Sequence, residues 1–245
     1  MARSESRLWT RKVEVDEARG LSISLIEDPT LDLGGDDAWC AWCLWPAAKA
    51  LMNYLSTWDD EVLKSSSVLE LGSGCGAVGM YAALRGAKPT VLTDVYRALP
   101  LLKRNVTANG LGGLCRTYAL PWGTRLEHLA PEIRGNAPFD LVIAADCSYD
   151  FVNPETPSPS IDALLTSARS LGRRALICVS RRPNEVEAFT SSVSRAGMSN
   201  LVSVVYKEEM DAEKDCVPEC LVYSFDFQGP TEAKSRRDFG INKET

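Results

Sequence analysis

Residues 68–79 read Val-Leu-Glu-Leu-Gly-Ser-Gly-Cys-Gly-Ala-Val-Gly: a short, mostly apolar run, a loop with glycine at alternate positions, and the start of a helical pattern. Few folds accommodate that order. A run this short and apolar suits a strand covered on both faces. Gly72, Gly74 and Gly76 let the backbone turn tightly and let a ligand approach without meeting a Cβ atom. Gly79 allows the following helix to pack close to the sheet. Asp94 closes the next apolar run, where its carboxylate can accept hydrogen bonds from both hydroxyls of a ribose. Gly74-x-Gly76-x-x-Gly79 followed by Asp94 also satisfies the dinucleotide fingerprint, so the pattern marks an adenosine-type site before it identifies the ligand.

The rest of the chain repeats the alternation. Buried-strand runs are expected at Val68–Leu71, Thr90–Thr93, Leu141–Ala145 and Ala175–Ser180, with a weaker one at Cys115–Leu120. Helical patterns fall at Ala77–Arg85, Arg97–Asn109, Ile161–Leu171 and Glu185–Ala196. Short buried runs separated by helices mean parallel strands joined by crossovers. The last two runs, Leu201–Tyr206 and Cys220–Phe227, leave no comfortable room for a helix and are expected to pair antiparallel. Upstream, Leu21–Ile26 alternates like a half-buried strand. Trp45–Trp58 has helical spacing with Pro46 in its first turn. The class is α/β: a mostly parallel sheet with helices on both faces. Ligands of such sheets bind beyond the carboxyl ends of the strands, here residues 72–76, 94, 121–123, 146–149 and 181–182.

Composition narrows the partners. The 245 residues carry a net charge of −6, which argues against a general nucleic-acid binder and suits a cationic substrate. No apolar stretch is long enough to span a bilayer, and residues 1–16 lack an apolar signal core, so no membrane partner and no secretion are expected. The eight cysteines are then expected as free thiols. Cys40-x-x-Cys43 and Cys216-x-x-x-Cys220 have metal-like spacing. However, they sit in an apolar tryptophan-rich run and before a strand, far from the single His128, and no metal is expected. The ends, residues 1–7 and 229–245, read as frayed and polar.

Three observations favour S-adenosylmethionine over a nicotinamide cofactor. Glu70 precedes the glycine loop, where a carboxylate can hold the loop and oppose a sulfonium charge but would repel a pyrophosphate. No tyrosine is followed four residues later by lysine, and one histidine leaves little choice of catalytic acid. A second constellation, Phe139-Asp-Leu-Val-Ile-Ala-Ala-Asp-Cys-Ser-Tyr149, ends a buried strand with an acid and then an aromatic hydroxyl.

With these parts the chain resembles the non-SET, seven-β-strand protein methyltransferases bearing an Asp/Glu-x-x-Tyr/Phe hallmark (methyltransferase family 16-like), most of which modify lysine. The resemblance runs from about Leu21 to Phe227. It is carried in order by Leu44-Trp45-Pro46-Ala47-Ala48, Leu69 through Gly76, Thr93-Asp94, Asn105 and Asn109, Trp122-Gly123, and Asp140 through Tyr149. It implies a Rossmann-like seven-stranded sheet, last strand antiparallel, with extra N-terminal strand and helix elements. The implied domains are an N-terminal extension (1–20), a methyltransferase domain (21–228) and a disordered tail (229–245). It also implies S-adenosyl-L-methionine as cofactor, S-adenosyl-L-homocysteine as product, and a protein substrate. The expected molecule is a cytoplasmic monomer, present in the nucleus as well.

The resemblance also assigns roles. Trp45 lines the cofactor pocket near the methionine end; Gly72, Ser73 and Gly74 contact the methionine part through their backbone; Asp94 holds the ribose. Trp122 packs on adenine with Ala145 beside it, and Asp146 and Tyr149 face the incoming side chain. The proline-rich segment after Tyr149 departs from many relatives and is expected to border the substrate cleft or to serve as a stiff connection. Arg181-Arg182 suits an acidic patch on the substrate or a solvated pair. Readings left open are a histidine, arginine or small-molecule acceptor, a non-catalytic adapter, and a nicotinamide-dependent oxidoreductase.

Overall fold

The computed structural model describes residues 8–29, 43–148, 156–211, 214 and 217–228. The N-terminal and C-terminal ends, Cys40, Cys216, Tyr149 and the start of the proline-rich segment lie outside the described residues.

Seven strands form the main sheet: β3 (Val68–Leu71), β4 (Thr90–Asp94), β5 (Cys115–Ala119), β6 (Phe139–Ala145), β7 (Gly172–Ser180), β8 (Val202–Glu209) and β9 (Glu219–Asp226). Their spatial order is β5-β4-β3-β6-β7-β9-β8. The pairs from β5 through β7 are parallel, and β9 runs antiparallel to both β7 and β8. The expected architecture, with the last strand reversed, is therefore the observed one. The chain builds outward from β3 to β5, then returns to β6 on β3's other side. The switch point lies between the carboxyl ends of β3 and β6, the usual place for a ligand in such sheets.

Alternate residues of the central strands feed two cores. Val68 joins the layer made by α1 (Pro46–Ser56), α3 (Ala77–Leu84) and α4 (Leu99–Ala108). Leu69 and Leu71 join the layer made by α5 (Pro131–Asn136), α6 (Pro159–Leu171) and α7 (Glu185–Arg195). α1 begins as its sequence suggests: Trp45 is extended and Pro46 supplies the first helical position, where its missing N–H leaves nothing unpaired.

Three elements go beyond the sequence reading: β1 (Trp9–Asp16), α5 and the short α2 (Asp60–Lys64). β1 pairs antiparallel with β2 (Leu21–Glu27), so residues 9–16 are half of a two-stranded sheet and not a loose extension. β1 escaped notice because its outer half is exposed and charged, with only Val15 and Asp16 buried.

Two side chains close the free edge of β2. Asn105 exchanges two hydrogen bonds with the backbone of Ile26, accepting at 2.7 Å and donating at 3.0 Å. Asn109 does the same with Ser24, both at 2.8 Å. Positions four apart on a helix and two apart on a strand share one face, so these amides act as a strand of side chains. A second tie is the buried Arg85. Its guanidinium donates to the backbone carbonyls of Leu55 and Trp58, to the Tyr81 hydroxyl and to Asp60. The Tyr81 hydroxyl in turn donates to Asp16 of β1, whose carboxylate lies 3.7 Å from Arg85.

Candidate active site

β3 runs into the glycine loop and β4 ends at Asp94, and backbone bonds lock the two together. The Ser73 N–H donates to the Thr93 carbonyl at 2.9 Å, the Thr93 N–H returns a bond to the Ser73 hydroxyl at 3.0 Å, and the Thr93 hydroxyl donates to the Glu70 carbonyl at 2.6 Å. Asp94 is held by two main-chain donors, Gly74 N–H on one oxygen and Val95 N–H on the other, both at 2.7 Å. Each oxygen retains a lone pair for a further donor, the arrangement a sugar diol needs. Burial raises the Asp94 carboxyl above its ordinary value, opposed by those two N–H groups.

Glycine is required at two of these positions. Gly72 has φ +63°, and a Cβ there would lie 2.6 Å from the Cys147 sulfur and 2.9 Å from the Trp122 ring. A Cβ on Gly79 would lie 2.5 Å from Glu70 Oε2 and 2.8 Å from Leu92, so this glycine permits the close helix–sheet packing expected of it.

The walls enclose a cavity of about 290 Å³, near the lower end for small-molecule sites. Nine sequence-predicted residues line it: Trp45, Glu70, Gly72, Ser73, Gly74, Asp94, Trp122, Ala145 and Asp146. Tyr149, the tenth, lies outside the described residues. The sequence reading gave no role to Cys147, whose buried side chain lies close to Gly72, and missed Ser160 and Ala163 of α6. The last two are near the helix start that follows the proline-rich segment; polar or small residues there carried no signal of their own.

Glu70 sits in the same wall. Its carboxyl is buried, and that burial pushes its pKa up to about 8, with Asp94 adding to the shift while Ser73 and the Gly79 N–H oppose it. Burial thus favours the neutral form in the ligand-free site, and a nearby sulfonium would favour the charged one. Its Oε2 is buried without a hydrogen-bond partner among the described residues.

S-adenosylmethionine fits the residues present. Asp94 offers acceptors for two hydroxyls, the Trp122 ring offers a flat face, and the glycine loop leaves room for backbone approach. Glu70 presents an unsatisfied buried oxygen in the same wall, one that a nearby sulfonium would favour in its charged form.

At the other end, Asp146 follows β6 in the left-handed region at φ +58°, tolerable for aspartate but uncommon. Its N–H donates to the Cys178 carbonyl of β7 at 3.0 Å. Its carboxylate is gripped by Arg182 as a two-pronged fork, with Nη1–Oδ1 at 2.6 Å and Nη2–Oδ2 at 2.8 Å. Arg182 also donates to Glu185 Oε2 at 3.0 Å, and its guanidinium carbon sits 5.8 Å from the centre of the Trp45 ring. The two arginines are both ion-paired within the chain: the part-buried Arg182 with Asp146 and Glu185, and the more exposed Arg181 with Glu219.

The model of the lysine methyltransferase family (methyltransferase family 16) matches residues 28–196. Mouse EEF1A lysine methyltransferase 3 is 40% identical over 107 residues, 43% of this chain and 43% of the relative. Mouse protein N-lysine methyltransferase METTL21A is 40% identical over 109 residues, 43% of this chain and 47% of the relative. Calmodulin-lysine N-methyltransferase of Arabidopsis thaliana is 25% identical over 173 residues, 69% and 54%. The matched part thus spans about half the length of these relatives. Among solved structures, SMU.776 complexed with SAH gives a TM-score of 0.58 at 14% identity, covering 91% of this chain and 57% of that one. The N-terminal domain of human METTL16 in complex with SAH gives 0.53 at 14%, covering 75% and 72%. At these identities the structures speak for the shared fold alone. With the family model covering well over half its length, the chain belongs to the lysine methyltransferase family.

Proposed function

We propose that this chain transfers a methyl group from S-adenosylmethionine to a nitrogen of a protein side chain, a lysine ε-amine. The observation that carries the proposal is that one cavity has Asp94 and the glycine loop in one part of its wall and Asp146 in another. The family supports it, and the names of three relatives each specify lysine while two specify different protein substrates, EEF1A and calmodulin.

Bound there, S-adenosylmethionine supplies an electrophilic methyl and leaves as S-adenosylhomocysteine. The acceptor must first lose its ammonium proton to solvent, so that a neutral amine would take the methyl carbon as the C–S bond opens and leave as a methylammonium. The chain's own work is alignment, which in well-oriented systems contributes about 7–11 kcal/mol, and supply of a neutral amine. A lysine with an ordinary pKa near 10.4 is only about 0.04% neutral at pH 7, a handicap of roughly 4–5 kcal/mol. The apolar wall works against the charged form. Asp146 accepts a hydrogen bond from the amine and orients it, and Tyr149 shapes the channel. The substrate is a protein and not a nucleic acid, consistent with the acidic balance, and the enzyme works as a monomer in the cytoplasm and nucleus.

The test incubates the purified chain with cell extract and radiolabelled cofactor, then identifies the labelled band and residue by mass spectrometry. Label on lysine is expected. Label on histidine, arginine or a small-molecule fraction would move the acceptor, and stabilisation in a thermal-shift assay by NAD but not by S-adenosylhomocysteine would overturn the reaction class.

A further inference from the structure

The fork between Arg182 and Asp146 poses a problem of charge. A bare carboxylate at the acceptor end attracts a lysine ammonium but also stabilises it in the form that cannot react. The structure supplies the counterweight. Arg182 rises from the turn after β7 and meets both oxygens of Asp146, whose side chain is only 4% exposed. It rests near the face of Trp45, another residue of the cavity wall. One lone pair of each Asp146 oxygen is spent on the fork, and the other remains to accept from a substrate.

We propose that Arg182 is the charge-balancing residue of the acceptor end: it holds Asp146 as a hydrogen-bond acceptor while cancelling the negative charge that would keep an incoming lysine as ammonium. The inference rests on the methyltransferase reading above.

The surroundings make the balance close to complete. The groups facing Asp146 are Arg182 and Glu185 from the β7–α7 turn, Cys147 from its own strand end, Cys178 from β7 and Cys220 from β9. Burial holds the Cys147 and Cys178 thiols protonated. Glu185 is pushed up to about 7 by burial, against the pull of Arg182 and of Ser148, whose hydroxyl donates to it at 2.7 Å. Near neutral pH, Glu185 therefore takes a proton in about half of the molecules, and Arg182 is left to answer Asp146. Two buried carboxylates thus share one guanidinium, and Arg182 meets both of them.

The probe is sinefungin, in which a carbon bearing an amine replaces the sulfonium and its methyl, so that a cation stands where the methyl would be. Its affinity relative to S-adenosylhomocysteine, measured by calorimetry at pH 7.5, reports the charge at the acceptor end without any protein substrate. R182Q is expected to raise the preference for sinefungin about tenfold, with S-adenosylhomocysteine affinity within threefold of wild type. D146N is expected to lower that preference about tenfold, the double variant D146N/R182Q to restore it to within threefold, and R182K to leave it near wild type. A ratio in R182Q within threefold of wild type overturns the proposal. Where R182Q does not fold, by thermal melting, equal ratios in D146N and the double variant overturn it. If wild type binds neither ligand, the methyltransferase reading itself fails; if it binds both and the ratios stay fixed, only this inference fails.

Discussion

At the cofactor end of the cavity the wall comes from two neighbouring strand ends, residues 70–76 and 94, and the working contacts are main-chain N–H groups, a φ of +63° and an absent Cβ. At the acceptor end the contacts are side chain to side chain, and they join Asp146 to Arg182 across 36 positions and Ser148 to Glu185 across 37. The first end is built from local geometry and the second from long-range charge. A local device leaves its mark in the sequence as glycine spacing. A long-range pair leaves no mark, because nothing in Asp146 or in Arg182 names its partner.

The difference predicts that damage at the two ends will separate. The largest effect belongs to Asp146→Ala, which abolishes methyl transfer while S-adenosylhomocysteine affinity falls less than tenfold. Turnover is read by label incorporation and affinity by calorimetry, and unchanged turnover would remove the acceptor end from the mechanism. Next is Glu70→Gln. The folded protein holds a proton on Glu70 up to about pH 8, whereas the unfolded chain releases it near the ordinary value of 4.5. Stability of the ligand-free protein therefore falls as pH rises from about 5 to 8, on the order of 4 kcal/mol from this group. E70Q stays neutral throughout and flattens the thermal-melting profile over that range; a slope equal to wild type would refute the buried proton. Glu185 adds a smaller slope of the same sign below about 7, which persists in E70Q.

Smaller again is Asp94→Ala. It removes the acceptors for the ribose and weakens S-adenosylhomocysteine by about 10–100-fold in calorimetry, at the scale of one or two hydrogen bonds to a charged group. The smallest is Gly72→Ala, which must shift Cys147 and Trp122 and adopt a strained φ, costing about 1–3 kcal/mol in melting experiments and a comparable loss of cofactor affinity. If G72A hurt turnover but not binding, the division of the cavity into two ends would be wrong.

The parallel strands were legible because β3, β4, β6 and β7 are short buried runs between helical patterns, and the physics that buries both faces writes itself into composition, whereas their spatial order was not. β5 was harder to read because only Cys115 of its five residues is buried, as expected at a sheet edge. α2 and α5, with five and six residues, are too short for a period to emerge. Asn105 and Asn109 stood out only through a family resemblance, since an asparagine that pairs a distant strand looks like any surface amide until β2 is in place. Arg181 and Arg182 read as a solvated pair or as a contact for an acidic patch because their acids, Glu219 and Asp146, are remote along the chain.

The network around Arg85 bears on how the chain can be cut. A fragment beginning at residue 21 keeps every strand of the seven-stranded sheet and every residue lining the cavity, yet it discards β1 and with it Asp16, whose carboxylate lies 3.7 Å from a guanidinium only 1% exposed. Such a trimmed protein would leave Arg85 paired to Asp60 but the Tyr81 hydroxyl without its acceptor, and would strip β2 of β1, its strand partner among the described residues. Strand β1 is thus a foundation for the body that carries the cavity, and an expression boundary drawn just ahead of Leu21 is expected to lower the melting temperature.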